Sequence, residues 1–187
     1  MKKTAEICAI VAVGPDNVIG RGGVMPWHCK SDLYHFQKIT TPYPCIFGRT
    51  TFENLPKKPL PNRLNIVVGS HHNNEYVGKV FYASSIEKAI SECNEMDRIF
   101  ICGGAQIYSY SLNHDLIDTM YLTIIKNPVL EQDIYKNPDV YCRFPYGIKI
   151  LLNSSKWVSQ PIIYPQNILP KDDGITTAEF YKCTRVR

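Results

Sequence analysis

The sequence has no long hydrophobic run, no extended basic segment and no closely spaced pair of cysteines. A membrane-spanning helix needs about 18 consecutive apolar residues, and no stretch approaches that length, so we expect no membrane partner. The net charge is only +4, and the longest basic runs are pairs such as Lys57-Lys58. A nucleic-acid-binding domain normally carries a basic stripe, so we expect no nucleic-acid partner either.

The seven cysteines are odd in number and form no C-x-x-C motif. This pattern argues against a disulfide framework and against a zinc site, and it favours a cytoplasmic protein. The adjacent residues His71 and His72 point to different sides of a strand or turn, and no carboxylate or cysteine stands at ligand spacing from them. We therefore expect no metal site.

What the sequence does contain is typical of one globular domain of the α/β class. Its 187 residues are 44% apolar and 20% charged, and a chain of this length predicts one domain over residues 1–187. Short apolar runs alternate with helical segments, and Ile7–Val13 has the continuous apolar pattern of a strand buried on both faces. We predict a mostly parallel, twisted central sheet with helices on both faces and an antiparallel C-terminal strand.

Three local patterns predict the structure of particular segments. The glycines and prolines of Gly14–His28 predict a long loop, and long loops in compact domains are often functional. Ser84-x-x-Glu87 is the pattern of a helix capping box. The runs Ile148–Leu152 and Glu179–Thr184 predict two strands.

Asp32 is the first candidate for chemistry. It stands at the start of a predicted helix, Ser31–Thr40, on the same face as Phe36. An acid at this position is also stabilised by the positive end of the helix dipole, without any further role. If Trp27, Leu33 and Phe36 instead surround it with an apolar pocket, its pKa is raised, and it can bind an amidine-like nitrogen heterocycle through both oxygens.

Two glycine-bearing junctions between a strand and a helix are the second candidate. One is Gly48-Arg49-Thr50-Thr51, and the other is Gly103-Gly104 with the residues that follow it. Each places free N–H groups at a helix start, where an anion can bind, although tight turns also need glycine. Two such junctions in one α/β chain suggest a bound pyrophosphate, but neither has the spacing of the ordinary dinucleotide or P-loop fingerprint.

Taken in order, six segments make the chain resemble the dihydrofolate reductase family over about residues 6–125. They are Asn17-Val18-Ile19-Gly20, Met25-Pro26-Trp27, Asp32-Leu33-x-x-Phe36, Gly48-Arg49-x-Thr51-Phe52-Glu53, Pro59-Leu60-Pro61-x-Arg63-x-Asn65 and Ile101-x-Gly103-Gly104-Ala105-Gln106-Ile107-Tyr108. The resemblance implies a monomeric reductase that converts dihydrofolate to tetrahydrofolate by hydride transfer from NADPH. It also implies a place in one-carbon metabolism and binding of antifolate inhibitors.

The resemblance implies roles for the matched residues. The catalytic residues would be Asp32, which anchors the pterin and favours protonation at N5, Trp27, which holds an ordered water, and Met25. Met25 ends the lid, Gly20–Met25, which closes over nicotinamide, and Arg63 would take the glutamate carboxylate. Further substrate contacts would be Ile10, Val11, Leu33, Phe36, Leu55, Cys102, Tyr108 and Thr123. NADPH would be held by Ala12, Ile19, Gly20, Gly48, Arg49, Thr50, Thr51, Ser70, His71, Gly103, Gly104, Ala105, Gln106 and Ile107, with a cis peptide bond at Gly103-Gly104.

The chain departs from the family pattern at several positions. Gln132-Asp133-Ile134-Tyr135 stands where the family has Gly-Asp-Thr-x-Phe-Pro, so Asp133 can keep the hydrogen bonds that steady the lid but Ile134 has no hydroxyl to donate. Cys102 replaces a branched aliphatic residue, and Gln106 replaces a residue that is often basic in bacterial members. The stretch 135–175 is longer than in minimal members and has no assigned task.

Two other functions stay open on the sequence alone. The pyrimidine reductase of riboflavin synthesis shares the fold and the cofactor, but Asp32 after Pro26-Trp27, with Arg63 downstream, favours a pterin with a carboxylate tail. The other is a non-catalytic folate binder, or a member that also contacts its own messenger RNA. A pure binder needs neither the lid nor the hydride-site residues.

Overall fold

The structure is a computed structural model and describes residues 5–71, 73–93, 95–165 and 167–186. His72 lies outside the described residues. The strands are β1 (Glu6–Val13), β2 (Val18–Arg21), β3 (Cys45–Gly48), β4 (Asn65–Val68), β5 (Glu75–Val77), β6 (Val80–Ala83), β7 (Arg98–Ile101), β8 (Thr119–Lys126), β9 (Tyr141–Arg143), β10 (Trp157–Pro161) and β11 (Thr177–Arg185). The helices are α1 (Lys30–Thr40), α2 (Arg49–Glu53), α3 (Ile86–Ser91), α4 (Ala105–Asn113), α5 (Pro128–Lys136) and α6 (Ile148–Leu152).

The chain groups into two compact units. The first contains the residues up to Ile10 together with Thr40–Asp118, and the second contains Val11–Ile39 together with the residues from Thr119 onward. The predicted single domain over residues 1–187 stays a prediction. Among the described residues, no helix is both long and apolar enough to cross a membrane.

The first unit is built from parallel strands. β7 pairs with β1 and β3, β3 pairs with β4, and β4 pairs with β6, all in parallel, while β5 lies antiparallel to β6. Ile46, Ile66 and Ile99 from three of these strands are fully buried and pack with Ala89 of α3. The parallel direction brings the carboxyl ends of β3 and β7 to one edge, where the chain turns into α2 and α4.

The second unit is built around antiparallel strands. β11 pairs with β8 and with β10, and β2 pairs with β9. A buried cluster joins Val18, Trp27 and Ile125 to Leu130 and Ile134 of α5. The predicted α/β class, with parallel strands and an antiparallel C-terminal strand, is confirmed.

The prediction of a strand over Ile148–Leu152 is wrong, because this segment is helix α6. Ile148 and Leu151 are both buried and stand three residues apart, which places them on one helical face. A short apolar run without alternation does not distinguish a strand from a helix. The strand that pairs with β11 is instead β10, Trp157–Pro161.

Two further local predictions need correction. The cap of α3 is Ser85, whose side chain accepts a hydrogen bond from the Lys88 N–H at 3.2 Å, while the Ser84 hydroxyl donates to Asn74 Oδ1 at 2.9 Å. Gly14–His28 is not one irregular loop, since it contains a 3₁₀ turn and β2. Strand β2 forms because it pairs with β9, and no local sequence pattern predicts that pairing.

Candidate active site

The predicted site residues form two groups, one in each unit. The second unit holds the carboxyl group of Asp32 and the segment predicted as a lid. The first unit holds the two glycine junctions and Arg63.

Asp32 lies in the first turn of α1, and only 6% of its surface is exposed. Burial raises the pKa of this carboxyl from 3.8 to about 6, because the ionised form loses its hydration. A hydrogen bond from the Thr123 hydroxyl acts in the opposite direction, and the negative charge of Asp172 adds to the increase. The direction agrees with the raised pKa predicted for Asp32, and the carboxyl keeps its proton to higher pH than an exposed aspartate does.

Trp27 is the second buried polar group of this region, with 8% of its surface exposed. Its Nε1 is buried and finds no hydrogen-bond acceptor among the residues that the structure describes. A buried indole N–H normally has a partner, so this donor is available to a water or ligand. Gly14 permits the position of the ring, because a Cβ there would lie 2.9 Å from Trp27 Cζ3.

The other side chains predicted around Asp32 differ in their exposure. Phe36 is half-buried and Val11 is buried, whereas Leu33 is 42% exposed and Met25 is 45% exposed. Ala12 and Ile19 are half-buried, and Gly20 is buried. The exposed apolar faces of Leu33 and Met25 are thus free to contact a ligand rather than the protein core.

The predicted lid, Gly20–Met25, is the tip of a hairpin. The N–H of Arg21 donates to the Val24 carbonyl at 2.8 Å, and the reverse bond measures 3.2 Å. Gly22 and Gly23 lie between them with φ of 58° and 86°. A two-residue turn of this kind needs positive φ, which glycine adopts at little cost.

Asp133 of α5 holds this hairpin. Arg21 Nη1 lies 3.1 Å from Asp133 Oδ2, and the Tyr141 hydroxyl donates to the same carboxylate. The hydrogen bond from Tyr141 is the main cause that lowers the pKa of Asp133. The prediction that Asp133 bonds to the lid is confirmed, while Ile134 is buried in the core beside Leu130.

In the first unit, the two glycine junctions touch each other. Gly48 precedes α2 and Gly104 precedes α4, and the N–H of Gly48 donates to the Gly103 carbonyl at 2.6 Å. The peptide bond between Gly103 and Gly104 is cis, as predicted. The Tyr108 hydroxyl donates to the Ile10 carbonyl at 2.6 Å, and a Cβ on Gly103 would lie 3.2 Å from the Tyr108 ring.

At both junctions, the space beside the backbone is too small for a side chain. A Cβ on Gly104 would lie 2.9 Å from Thr51 Oγ1, and one on Gly48 would lie 3.2 Å from Ile107 Cγ1. No cap side chain occupies the first N–H groups of α4, and such groups bind phosphate readily. The exposed guanidinium of Arg49 adds a positive charge at the neighbouring junction. These residues fit the pyrophosphate of a dinucleotide cofactor.

The remaining predicted residues of the first unit are placed as follows. The Arg63 Nε donates to the Pro61 carbonyl at 3.0 Å, and its Nη1 donates to the Thr40 hydroxyl, so the guanidinium is held in one orientation. Burial raises the pKa of the Cys102 thiol well above its ordinary value. Leu55, Thr51, Ala105 and Ile107 are half-buried, whereas Thr50, Gln106, Ser70 and His71 are exposed.

Two groups that contact α1 or belong to it were not predicted from the sequence. His35 of α1 is fully buried, its Nδ1 lies 2.6 Å from the Tyr164 hydroxyl, and burial lowers its pKa from 6.5 to about 4. Asp172 accepts hydrogen bonds from the Ser31 N–H at 3.1 Å and from the Ser31 hydroxyl at 2.5 Å. Both contacts join residues more than a hundred positions apart, so no local pattern could reveal them.

No group of three or more His, Cys, Asp or Glu side chains that could hold a metal ion occurs in the described part of the chain.

Comparisons with known proteins agree with this arrangement. The family model "Dihydrofolate reductase" matches residues 6–141. The dihydrofolate reductase of Candida albicans is 31% identical over 171 residues, which cover 86% of this chain and 83% of that protein. The enzyme of Haemophilus influenzae is 40% identical over 117 residues, or 63% of this chain and 70% of that one.

A solved structure shows the same fold. The dihydrofolate reductase from Enterococcus faecalis, complexed with NADP(H) and RAB-propyl, superposes with a TM-score of 0.70 over 97% of each chain at 23% identity. The family model covers most of this chain, and the Candida albicans relative is matched over most of its own length. The chain therefore belongs to the dihydrofolate reductase family.

Proposed function

We propose that Asp32 anchors the pterin ring of dihydrofolate and favours protonation of its N5. As a dihydrofolate reductase, the protein reduces dihydrofolate to tetrahydrofolate with NADPH. The observation that carries the proposal for Asp32 is its burial together with its pKa of about 6. A buried carboxyl can pair through both oxygens with the 2-amino and N3 edge of a pterin, and the Thr123 hydroxyl helps to orient it.

We propose that the proton for N5 comes through Asp32, because the other acid of the matched segments, Glu53, is exposed on α2. We propose that Trp27 Nε1, which is buried and unpaired within the described residues, holds a water that passes the proton. Closure of the hairpin Gly20–Met25 excludes bulk water, and the Arg21–Asp133 pair holds the base of that hairpin. Each of these roles belongs to a side chain of the second unit.

When bound, NADPH supplies the hydride that reduces C6 of the substrate. We propose that its pyrophosphate is held by the backbone of Gly104 and Ala105 and by Arg49, because the N–H groups there carry no side-chain cap. The lack of space for a Cβ on Gly104 supports this assignment. Arg63 pairs with the α-carboxylate of the glutamate tail, and its bond to Thr40 orients it for that pairing.

Antifolate inhibitors that carry an amidine-like edge would compete for the same Asp32 carboxyl. We also propose a cytoplasmic location, which is supported by the seven cysteines, all of them free thiols. The predicted monomer is tested by sedimentation of the purified protein with and without NADPH.

The proposal for Asp32 is tested by single-turnover hydride transfer from NADPH to dihydrofolate. Asp32→Asn should slow this step by about 100-fold or more at neutral pH, the size of a lost general acid, while NADPH binding stays normal. Asp139→Asn, which changes an exposed carboxylate of another segment, is the control. Full activity of Asp32→Asn would refute the role, and NADPH binding by the native protein without turnover of dihydrofolate would refute the activity.

A further inference from the structure

Tyr164 and Asp172, from the connection between β10 and β11, contact helix α1, which carries Asp32. Two contacts join them. The Tyr164 hydroxyl lies 2.6 Å from His35 Nδ1, and its ring also packs edge-on against His35. At the start of the helix, Asp172 receives the two hydrogen bonds from Ser31. This segment belongs to the stretch for which the sequence assigned no task.

The position of Asp172 relative to the helix is well defined. Ser31 is 4% exposed and belongs to the first turn of α1, where backbone N–H groups have no partner within the helix. Asp172 satisfies one of these N–H groups and also accepts from the Ser31 hydroxyl. Asp32 is the next residue along the chain, so the hydrogen bonds from Ser31 hold the Asp172 carboxylate at the turn of α1 that carries Asp32.

We propose that Asp172 is a positioning residue for dihydrofolate reduction: it anchors the start of α1 and, as a fixed negative charge beside Asp32, favours the protonated form of Asp32. This inference rests on the role proposed above for Asp32. Two carboxyl groups held close together cannot both ionise easily, so one of them keeps its proton to higher pH. Asp32 is the one that keeps it, because it is the buried member of the pair.

The surroundings of Asp32 support this division of roles. Burial is the largest cause of its raised pKa, and the charge of Asp172 acts in the same direction. The other titratable group against it is the Cys29 thiol, whose pKa is itself raised by burial. Thr123 of β8 faces Asp32 as a neutral donor and opposes the shift. Among the described residues, Asp172 is thus the carboxyl group that acts on Asp32 from another segment.

The test measures the titration of Asp32 directly, by NMR of the ¹³C-labelled aspartate carboxyls, with Asp32→Asn to assign the signal. Asp172→Asn should move the midpoint of Asp32 to lower pH, while Asp139→Asn, which changes an exposed carboxylate of another segment, should leave it unchanged. Asp172→Glu, which keeps the charge, should restore part of the shift. Ser31→Ala, which keeps the charge but removes one anchor, should move the midpoint in the same direction as Asp172→Asn, and by less.

The same variants are then followed by single-turnover hydride transfer across pH. Asp172→Asn should lose activity earlier than the native protein as the pH rises, because Asp32 gives up its proton sooner. If Asp32 titrates with the same midpoint in Asp172→Asn as in the native protein, the inference is overturned, even if that variant is less stable. This outcome is separate from failure of the proposed function, which would appear as normal hydride transfer by Asp32→Asn.

Discussion

Asp32 and His35, three residues apart on α1, should make opposite contributions to the pH dependence of stability. In the folded protein the pKa of Asp32 is raised from 3.8 to about 6, and the pKa of His35 is lowered from 6.5 to about 4. Each pH unit of difference between the folded and unfolded pKa is worth about 1.4 kcal/mol. The titration of each group therefore changes the free energy of unfolding by about 3 kcal/mol, over nearly the same pH range.

The signs follow from which state binds more protons. For Asp32, the folded state binds more protons between pH 3.8 and about 6, so its contribution is present at low pH and is lost as the pH rises through that range. For His35, the unfolded state binds more protons between about 4 and 6.5. Its contribution is therefore present above pH 6.5 and is lost as the pH falls towards 4. In the native protein the two effects nearly cancel.

Single substitutions should uncover each effect. Relative to the native protein, Asp32→Asn should gain about 2 to 3 kcal/mol of unfolding free energy between acidic and neutral pH. His35→Gln, which can keep a hydrogen bond to Tyr164, should lose about 3 kcal/mol over the same change. The double variant should return to the shallow native profile.

The measurement is urea unfolding of the ligand-free protein at several pH values, followed by the fluorescence of the buried Trp27 and Trp157. Asp139→Asn serves as the control for loss of an exposed carboxylate. A stability difference between Asp32→Asn and the native protein that stays constant with pH would refute the reasoning for Asp32. A constant difference for His35→Gln would refute it for His35.

Three further substitutions test other parts of the structure. Arg63→Lys should raise KM for dihydrofolate by about 10-fold or more, because lysine cannot reproduce the paired bonds to a carboxylate. Gly104→Ala should weaken NADPH binding by about 5-fold, which corresponds to about 1 kcal/mol of backbone distortion, since the new Cβ would meet Thr51 Oγ1 at 2.9 Å. Asn127→Ala should lower the unfolding free energy by about 1 kcal/mol, because Asn127 Oδ1 caps α5 by accepting from the Leu130 N–H at 2.9 Å.

Each of these has its own control. The effect of Arg63→Lys on KM should disappear with a dihydropteroate substrate that lacks glutamate, and an equal effect on both substrates would argue against the assigned partner. Thr51→Ala should relieve part of the Gly104→Ala defect, whereas normal NADPH affinity of Gly104→Ala would contradict the close contact. For Asn127, aspartate keeps the capping oxygen but cannot donate to the Thr176 hydroxyl, as Asn127 Nδ2 does at 3.0 Å. Asn127→Asp should therefore recover only part of the loss, and equal losses in both variants would exclude the cap.

The sequence by itself determined the local elements whose signals are contained within a few residues. Sequence periodicity, helix caps and turns are local properties. For this reason it was possible to predict the buried strand β1, the first turn of α1 with Asp32, and the glycine junctions before α2 and α4. The ordered motifs also pointed to the family, which the match over residues 6–141 bears out. The start of α5 was also predictable but was not predicted: Asn127 is a capping residue, and Pro128 follows it at the first helical position.

Only the tertiary structure decided the rest. The run Ile148–Leu152 became a helix because its neighbours bury one face of it, and β2 became a strand because β9 pairs with it. Asp172 meets Ser31 across 141 positions of the chain. No periodicity records such a contact, since the burial and charge that set the pKa of Asp32 come from side chains that folding alone brings together.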